Sequence, residues 1–314
     1  MKYLSYTISY RVLQGESIVK ILQKKSSIFI TIAVILAFIL LISSIFYTDT
    51  DQASSPTTPT ISSDSIPTIF VHGFKGSAHS FDGMLDRFQR QHWGKKEMVI
   101  YVTNEGDTII KGNISKNVMH PLIQVVFHNN RASFQETAGY LKKVMRILYT
   151  QYDIQEVNIV GHSMGGIIST KYIEETYHKK DYPTTHKLIT IGSPFQGVIL
   201  KRFKQNPNNT GAAAIDLVPH SKALKILVQN SRKFDPNIQV LAIAGVIEDK
   251  NDGDGLVSLY SAFGGKNIVP KNQFHTKIVY GKSAYHSGLH ENKNVDLLVS
   301  TFLWGNHKKI KHSN

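Results

Sequence analysis

Residues 157–177 have the sequence VNIVGHSMGGIISTKYIEETY, and this stretch decides the fold. The apolar run VNIV leads directly into Gly161-His162-Ser163-Met164-Gly165-Gly166, and a run with helical spacing follows. A Gly-x-Ser-x-Gly pattern between a strand and a helix is typical of a nucleophile elbow, a sharp turn that exposes a serine hydroxyl. Side chains at Gly161 or Gly165 would collide with the adjoining strand and helix. The stretch therefore predicts a strand, a strained turn at Ser163 and a helix.

The chain around this motif alternates short apolar runs with helical patterns. Such alternation favours βαβ units and a mostly parallel sheet with helices on both faces, and together with the nucleophile elbow it predicts the α/β-hydrolase fold. The segment 198–235 lies between predicted strands, and we expect it to form a small cap whose apolar run 212–230 either lines an acyl site or packs helices. The predicted elements are strands within 68–74, 123–127, 157–160, 187–197, 238–246 and 275–283, a hairpin over 98–112, and helices over 134–152 and 295–304.

An activated serine needs a histidine base and an acid that orients it. In this architecture the acid and then the histidine follow the serine along the chain, each in a loop after a later strand. The loop 247–258 offers four carboxylates. We choose Asp254 because a turn glycine and a Leu-Val pair follow it and would fix its carboxylate, and Asp252 is the alternative.

The histidine is predicted in the loop 282–291, which offers His286 and His290. His286 lies nearer the end of the preceding strand and is our choice of base. His290 is the alternative, or a supporting histidine near the site.

The negative charge that develops in acyl transfer needs two backbone N–H donors, an oxyanion hole. We assign one donor to the amide of Met164, at the start of the predicted helix, where the helix dipole also favours negative charge. The other is assigned to Phe74, because His72-Gly73-Phe74 ends the first buried strand. His72 is interpreted as a structural residue of that loop.

The N-terminal part of the chain has the composition of a membrane anchor. Residues 28–47 contain no charge over twenty positions, enough for a helix to cross a hydrocarbon core of about 30 Å. Lysines precede this span and aspartates follow it, which predicts a cytoplasmic segment 1–27 and a catalytic domain outside the cell. Residues 48–66, rich in Ser, Thr, Pro and Asp, predict a disordered linker. A cleaved signal peptide and a secreted domain are the alternative.

Composition limits the chemistry and the partners. The chain has no cysteine, which excludes disulfides, thiolate metal sites and a cysteine nucleophile. The formal net charge is +13; residues 1–27 carry +4 and residues 48–66 carry −3, so +12 falls on residues 67–314. Such a domain is attracted to polyanions, and weak association with an anionic cell-wall polymer is one expectation. No nucleic-acid, cofactor or metal motif is present, so we predict none of these partners and expect a monomer with a basic tail, 306–314.

Several segments together resemble one family. They are IFVHGFKGSAHSF (69–81), HPLIQVVFHNN (120–130), NIVGHSMGG (158–166), IGSPFQG (191–197), DGLVS (254–258) and HSGLHEN (286–292). This combination is similar to a Gram-positive family of α/β hydrolases known as a domain of unknown function, DUF915, whose members are often exported or associated with the cell surface. The resemblance covers about residues 67–305 and implies the α/β-hydrolase fold with Ser163, Asp254 and His286 as a triad. His120 departs from the asparagine that the family tends to have before Pro-Leu-Ile.

The sequence therefore predicts a membrane-anchored serine hydrolase that acts on a small or lipid-like carboxylic ester through an acyl-enzyme. A lipase or an amidase of the same fold is the first alternative. The second is an idle hydrolase domain that binds cell-wall polyanions.

Overall fold

The structure is a computed structural model that describes residues 66–115, 117–247 and 252–305. The predicted cytoplasmic segment 1–27, the span 28–47, the linker up to residue 65 and the tail 306–314 lie outside the described residues. Within the described part of the chain, no helix has the length and apolar character needed to cross a bilayer. The predicted anchor is therefore neither supported nor contradicted and stays a prediction.

The described residues form one eight-stranded sheet. Its order is β3-β2-β4-β1-β5-β6-β7-β8, and every neighbouring pair is parallel except β2 with β3. The mostly parallel sheet and the hairpin predicted over 98–112 are confirmed. The strands are β1 (Thr68–Val71), β2 (Lys95–Val102), β3 (Thr108–Gly112), β4 (Pro121–Phe127), β5 (Glu156–His162), β6 (Thr184–Ile191), β7 (Gln239–Val246) and β8 (Phe274–Tyr280).

The helices cover both faces of this sheet, as predicted. They are α1 (His79–Arg90), α2 (Phe134–Tyr152), α3 (Met164–Thr176), α4 (Leu200–Lys204), α5 (Ala212–Asp216), α6 (Lys222–Gln229), α7 (Leu259–Ala262) and α8 (Lys293–Trp304). Short 3-10 helices cover Ser231–Lys233, Gly264–Asn267, Lys282–Ala284 and His286–Glu291.

Strand alternation explains why two separate cores form. Successive side chains of a strand point to opposite faces, so a strand buried on both faces must be apolar throughout. In β1, Ile69 and Val71 belong to the core shared with α2 and α3, whereas Phe70 packs with α1 and α8 on the other face. All four residues of β1 are buried.

Helix α2 shows how local sequence sets the bounds of an element. The hydroxyl of Ser133 caps its first turn by accepting the N–H of Glu136. The helix ends at Tyr152, and the C-cap residue Asp153 has a φ of 54°, in the left-handed region. The predicted helix over 134–152 is confirmed at both ends.

The topology brings the predicted site residues to one edge of the sheet. The loops after β1, β5, β7 and β8 all leave the carboxyl ends of parallel strands, and such ends meet at the same edge. Residues 72–78, the turn at Ser163, the loop 252–258 and the loop 281–292 therefore converge, although more than 200 residues separate the first from the last.

Candidate active site

The turn between β5 and α3 holds Ser163 in a strained backbone conformation. Its φ is 56° and its ψ is −128°, a region that costs a non-glycine residue about 1–3 kcal/mol. The Ser163 N–H donates to the carbonyl of Ile191 on β6 over 2.8 Å, and the Gly166 N–H donates to the Ser163 carbonyl over 3.1 Å. These bonds fix the turn at the carboxyl edge of the sheet, where Ser163 lines a cavity.

Two glycines of the motif are required by close backbone contacts. A Cβ at Gly165 would lie 2.1 Å from the carbonyl oxygen of Val71 on β1. A Cβ at Gly161 would lie 2.5 Å from the amide nitrogen of Gly166. Helix α3 can therefore start directly against the sheet only where these side chains are missing.

The structure brings Ser163, His286 and Asp254 into one hydrogen-bonded chain. His286 Nε2 lies 2.9 Å from Ser163 Oγ, and His286 Nδ1 lies 2.7 Å from Asp254 Oδ2. Asp254 is 2% exposed and Ser163 is 8% exposed. The hydrogen-bonded side chains are therefore mostly buried, and the serine is the more accessible of these two residues. The carboxylate can only accept, so Nδ1 carries the ring proton and Nε2 is left to accept one from the serine.

The loop after β7 fixes the carboxylate of Asp254 through its own backbone. Asp254 Oδ1 accepts the N–H of Leu256 over 2.9 Å and that of Val257 over 2.7 Å, which leaves Oδ2 for the histidine. The backbone N–H of His286 also donates to the backbone carbonyl of Asp254 over 2.9 Å. The acid loop and the histidine loop are thereby tied together at backbone level.

The two alternative residues lie elsewhere. Asp252 is exposed, and its carbonyl accepts the N–H of Leu259. His290 Nδ1 lies 3.2 Å from Glu291 Oε1, and the ring borders the cavity above the serine without a hydrogen bond to Ser163. Burial lowers the pKa of His290, while Glu291 acts in the opposite direction. The structure brings neither alternative into the hydrogen-bonded chain.

The backbone amides of Phe74 and Met164 are the two donors that the sequence assigned to an oxyanion hole. Among the described residues, neither N–H donates a hydrogen bond to another group. The loop after β1 also presses against the elbow, since a Cβ at Gly73 would lie 2.7 Å from Ser163 Cβ and 3.1 Å from the Met164 nitrogen. Among the described residues, two amides without a hydrogen-bond acceptor therefore lie in the turn at Ser163 and in the loop packed against it.

Buried histidines support the site from two sides. His72 Nε2 accepts the N–H of Phe127 over 2.9 Å, and Nδ1 donates to the Gly73 carbonyl over 2.9 Å. These bonds join the loop after β1 to the end of β4. Burial lowers the pKa of His72 to about 4, so the ring is neutral near pH 7.

His162 is a site residue that the sequence argument did not single out. Its Nε2 donates to the backbone carbonyl of His286 over 3.0 Å. Its ring centroid lies 4.9 Å from that of His286 and 4.8 Å from that of His290. Burial lowers the pKa of His162 well below its usual range, with a smaller contribution from the neighbouring histidines. Its place next to Ser163 in the motif is the signal by which the sequence could have pointed to it.

A cavity of about 420 Å³ opens above Ser163. Its lining includes apolar side chains from the segment 198–235, from the loop after β1 and from the loop after β7. They are Phe74, Val198, Phe203, Leu217 and Leu256. Within the run 212–230 of the described structure, Leu217 lines this cavity, and Leu217, Leu224 and Leu227 all belong to the buried core. Helix packing therefore accounts for much of that run.

The fold and this edge of the sheet define an α/β hydrolase. A family model described as alpha/beta hydrolase of unknown function, DUF915, matches residues 55–306, and the chain belongs to that family. The resemblance seen in the sequence motifs is thereby confirmed.

Two solved structures are similar over most of the chain. One is the product of the gene lin2722 from Listeria innocua, with 29% identity and a TM-score of 0.67 over 78% of this chain and 96% of that one. The other is a proposed cell surface hydrolase from Lactobacillus plantarum WCFS1, with 23% identity and a TM-score of 0.61 over 78% of this chain and 94% of that one. The comparison with curated proteins finds no match.

Proposed function

We propose that this α/β hydrolase cleaves carboxylic esters, with Ser163 as the nucleophile. The observation that carries the proposal is the unbroken chain from Ser163 Oγ through His286 to Asp254, with spacings of 2.9 and 2.7 Å. A serine is a weak nucleophile until a base within hydrogen-bond reach removes its proton, and this base needs a partner that fixes its orientation.

The proposed reaction has two halves. His286 Nε2 accepts the Ser163 proton while Oγ attacks the ester carbonyl carbon, and the carbonyl electron pair moves to oxygen. The amides of Phe74 and Met164 hold that oxyanion. The intermediate then collapses, His286 returns its proton to the leaving alkoxide, and an ester between Ser163 and the acyl group remains. Water attacks this ester with His286 again as base, which releases the acid and restores Ser163.

An ester of modest size fits the cavity. Its volume of about 420 Å³ lies in the range of small-molecule sites, roughly 300–1,000 Å³. Three of its apolar lining residues, Val198, Phe203 and Leu217, are buried side chains that would contact an acyl or alkyl chain. This lining supports an ester with an apolar part as the first class to screen.

The test is a hydrolysis screen with the purified full-length protein. The substrates are para-nitrophenyl esters of increasing acyl length together with a matching para-nitroanilide, and Ser163→Ala is the control. We expect turnover of esters above the anilide and a loss of about 10³-fold or more in Ser163→Ala. A fluorophosphonate probe should label wild-type protein and not the variant. A folded protein that neither labels nor turns over any ester would refute the proposal and favour an idle, polymer-binding domain.

We also propose that residues 28–47 anchor the domain at the outer face of the cell membrane. The support is the uncharged twenty-residue stretch with lysines before it and aspartates after it. Protease added to intact cells should remove the catalytic domain. A full-length protein found in the soluble fraction of lysed cells would contradict the proposal.

A further inference from the structure

Two cations flank the loop that carries the Phe74 amide. Lys75 Nζ lies 5.5 Å from the centroid of the Phe74 ring, and the Arg131 guanidinium carbon lies 5.6 Å from the same centroid. Lys75 also lines the cavity above the serine, together with Arg202 from α4. Positive charge is therefore concentrated beside the place where the oxyanion would form.

Two of these cations, Lys75 and Arg131, donate to neutral groups. Lys75 Nζ donates to Asn209 Oδ1 over 2.6 Å, and Arg131 donates to the carbonyls of Asn208 and Thr210. Across residues 66–115, 117–247 and 252–305, no carboxylate lies within ion-pair distance of any of the three cations. Cations whose described contacts are neutral groups keep their attraction for an anion.

The backbone of Lys75 adds a second observation. Its φ of 57° lies in the left-handed region, which costs a side-chain-bearing residue about 1–2 kcal/mol and which a glycine would adopt freely. Its N–H is held by the Asn130 carbonyl over 2.9 Å. Burial and the nearby charge of Arg131 lower the pKa of Lys75. The chain thus keeps a lysine where both the backbone and the electrostatics disfavour it.

We infer that the site selects esters that carry an anionic group, a carboxylate or a phosphate, bound by Lys75 with Arg131 and Arg202 nearby. The ester carbonyl would lie at Ser163, and the apolar walls would contact the rest of the molecule. This inference rests on the proposed ester hydrolysis and names its substrate class. The anion can belong to the acyl side or to the alcohol side, and the two are separated by choice of substrate.

The experiment compares matched ester pairs with the full-length protein. For the alcohol side the pair is para-acetoxybenzoate and its neutral amide, para-acetoxybenzamide. For the acyl side it is the para-nitrophenyl monoester of glutaric acid and para-nitrophenyl valerate. The readout is the ratio of kcat/KM for the anionic ester to kcat/KM for the neutral one. Comparing this ratio between variants cancels the intrinsic reactivity of each ester.

The variants remove one charge each. Lys75→Gln removes the charge and keeps a side-chain N–H donor, on a side chain one atom shorter than that of lysine. Lys277→Gln is the matched control, because Lys277 is exposed on the edge strand β8 and does not line the cavity. We expect the ratio for at least one pair to fall about tenfold in Lys75→Gln, equivalent to about 1.4 kcal/mol, and to stay constant in Lys277→Gln.

Two results would overturn the inference. One is an unchanged ratio for both pairs in Lys75→Gln while the neutral esters are still hydrolysed, which would leave the proposed function intact. The other is an equal fall in Lys277→Gln, which would indicate attraction by the whole basic domain. If Lys75→Gln does not fold, Arg202→Gln tests the same ratio from the exposed side of the cavity. If the wild-type protein hydrolyses none of these esters, the proposed function itself is refuted.

Discussion

Replacing Asp254 by asparagine probes the hydrogen-bonded chain with the smallest change of shape. Asp254 Oδ1 accepts two backbone N–H groups, from Leu256 and Val257. An amide NH₂ cannot take that place, because donor would face donor. The asparagine oxygen must therefore stay there, and its NH₂ group must point at His286 Nδ1.

This forced orientation determines the size of the effect. Facing a donor, His286 Nδ1 has to accept, so the ring proton moves to Nε2, which lies 2.9 Å from Ser163 Oγ. That nitrogen can then no longer take the serine proton. Loss of the correct tautomer in a triad costs about 10⁴-fold in kcat, equivalent to about 5.5 kcal/mol of activation free energy. We expect a similar loss in Asp254→Asn.

The assay is the initial rate with a para-nitrophenyl ester, alongside the rate of fluorophosphonate labelling. Asp252→Asn is the matched control, because Asp252 is exposed and stands two positions away in the same loop. The control should keep activity within a factor of about two. The reasoning is refuted if folded Asp254→Asn keeps more than about a tenth of the wild-type rate, or if Asp252→Asn loses as much.

Three further variants test the site and its support. His286→Ala should lose about 10³-fold or more in kcat, whereas His290→Ala should lose less than about tenfold; the opposite order in the ester assay would make His290 the base. Gly165→Ala should lower the free energy of unfolding by about 3 kcal/mol or prevent folding, because the new Cβ would lie 2.1 Å from the Val71 oxygen; an unchanged Tm would contradict the close contact. Burial raises the pKa of Glu174 to about 8 from 4.5, so the folded protein keeps this carboxyl protonated where the unfolded chain ionises it. The free energy of unfolding of wild type should therefore fall relative to that of Glu174→Gln as pH rises from about 4.5 to about 8, by at most about 5 kcal/mol. Urea unfolding would rule this out if the difference in stability between the two proteins were the same at pH 5 and at pH 9.

The fold was predictable because its elements are locally encoded. The apolar strand before Gly161, the turn signal between β2 and β3, and the helical spacing of α2 each depend on neighbouring residues. Strand order depends on long-range pairing, and β1 lies between β4 and β5, which are distant in the chain. No local pattern specifies that arrangement, so the sequence predicted the sheet type without its order.

The site divides in the same way. Ser163 has a motif, and chain order restricts its partners to two loops. The choice of Asp254 over Asp252 used the turn that follows it, and in the structure that turn supplies the two N–H donors. Contacts that join distant segments carry no such signal. The approach of Lys75 and Arg131 to the same aromatic ring, across 56 residues of chain, is visible only after folding.

The two hydrogen bonds of His72 have a consequence for the surroundings in which this protein can work. The bond that Nε2 accepts from the Phe127 N–H requires the uncharged ring, whereas Nδ1 can donate to the Gly73 carbonyl in either state; burial lowers the pKa of His72 in the folded chain to about 4, against 6.5 for a free histidine. Protons are therefore taken up on unfolding, and stability declines as pH falls from about 6.5 towards 4. The His72 ring joins the loop after β1, which contains Phe74, to the end of β4. Protonation of the ring at low pH therefore weakens this connection. The contribution of His72 to stability is therefore fully present only above about pH 6.5, and acid should weaken the hold of β4 on the loop after β1.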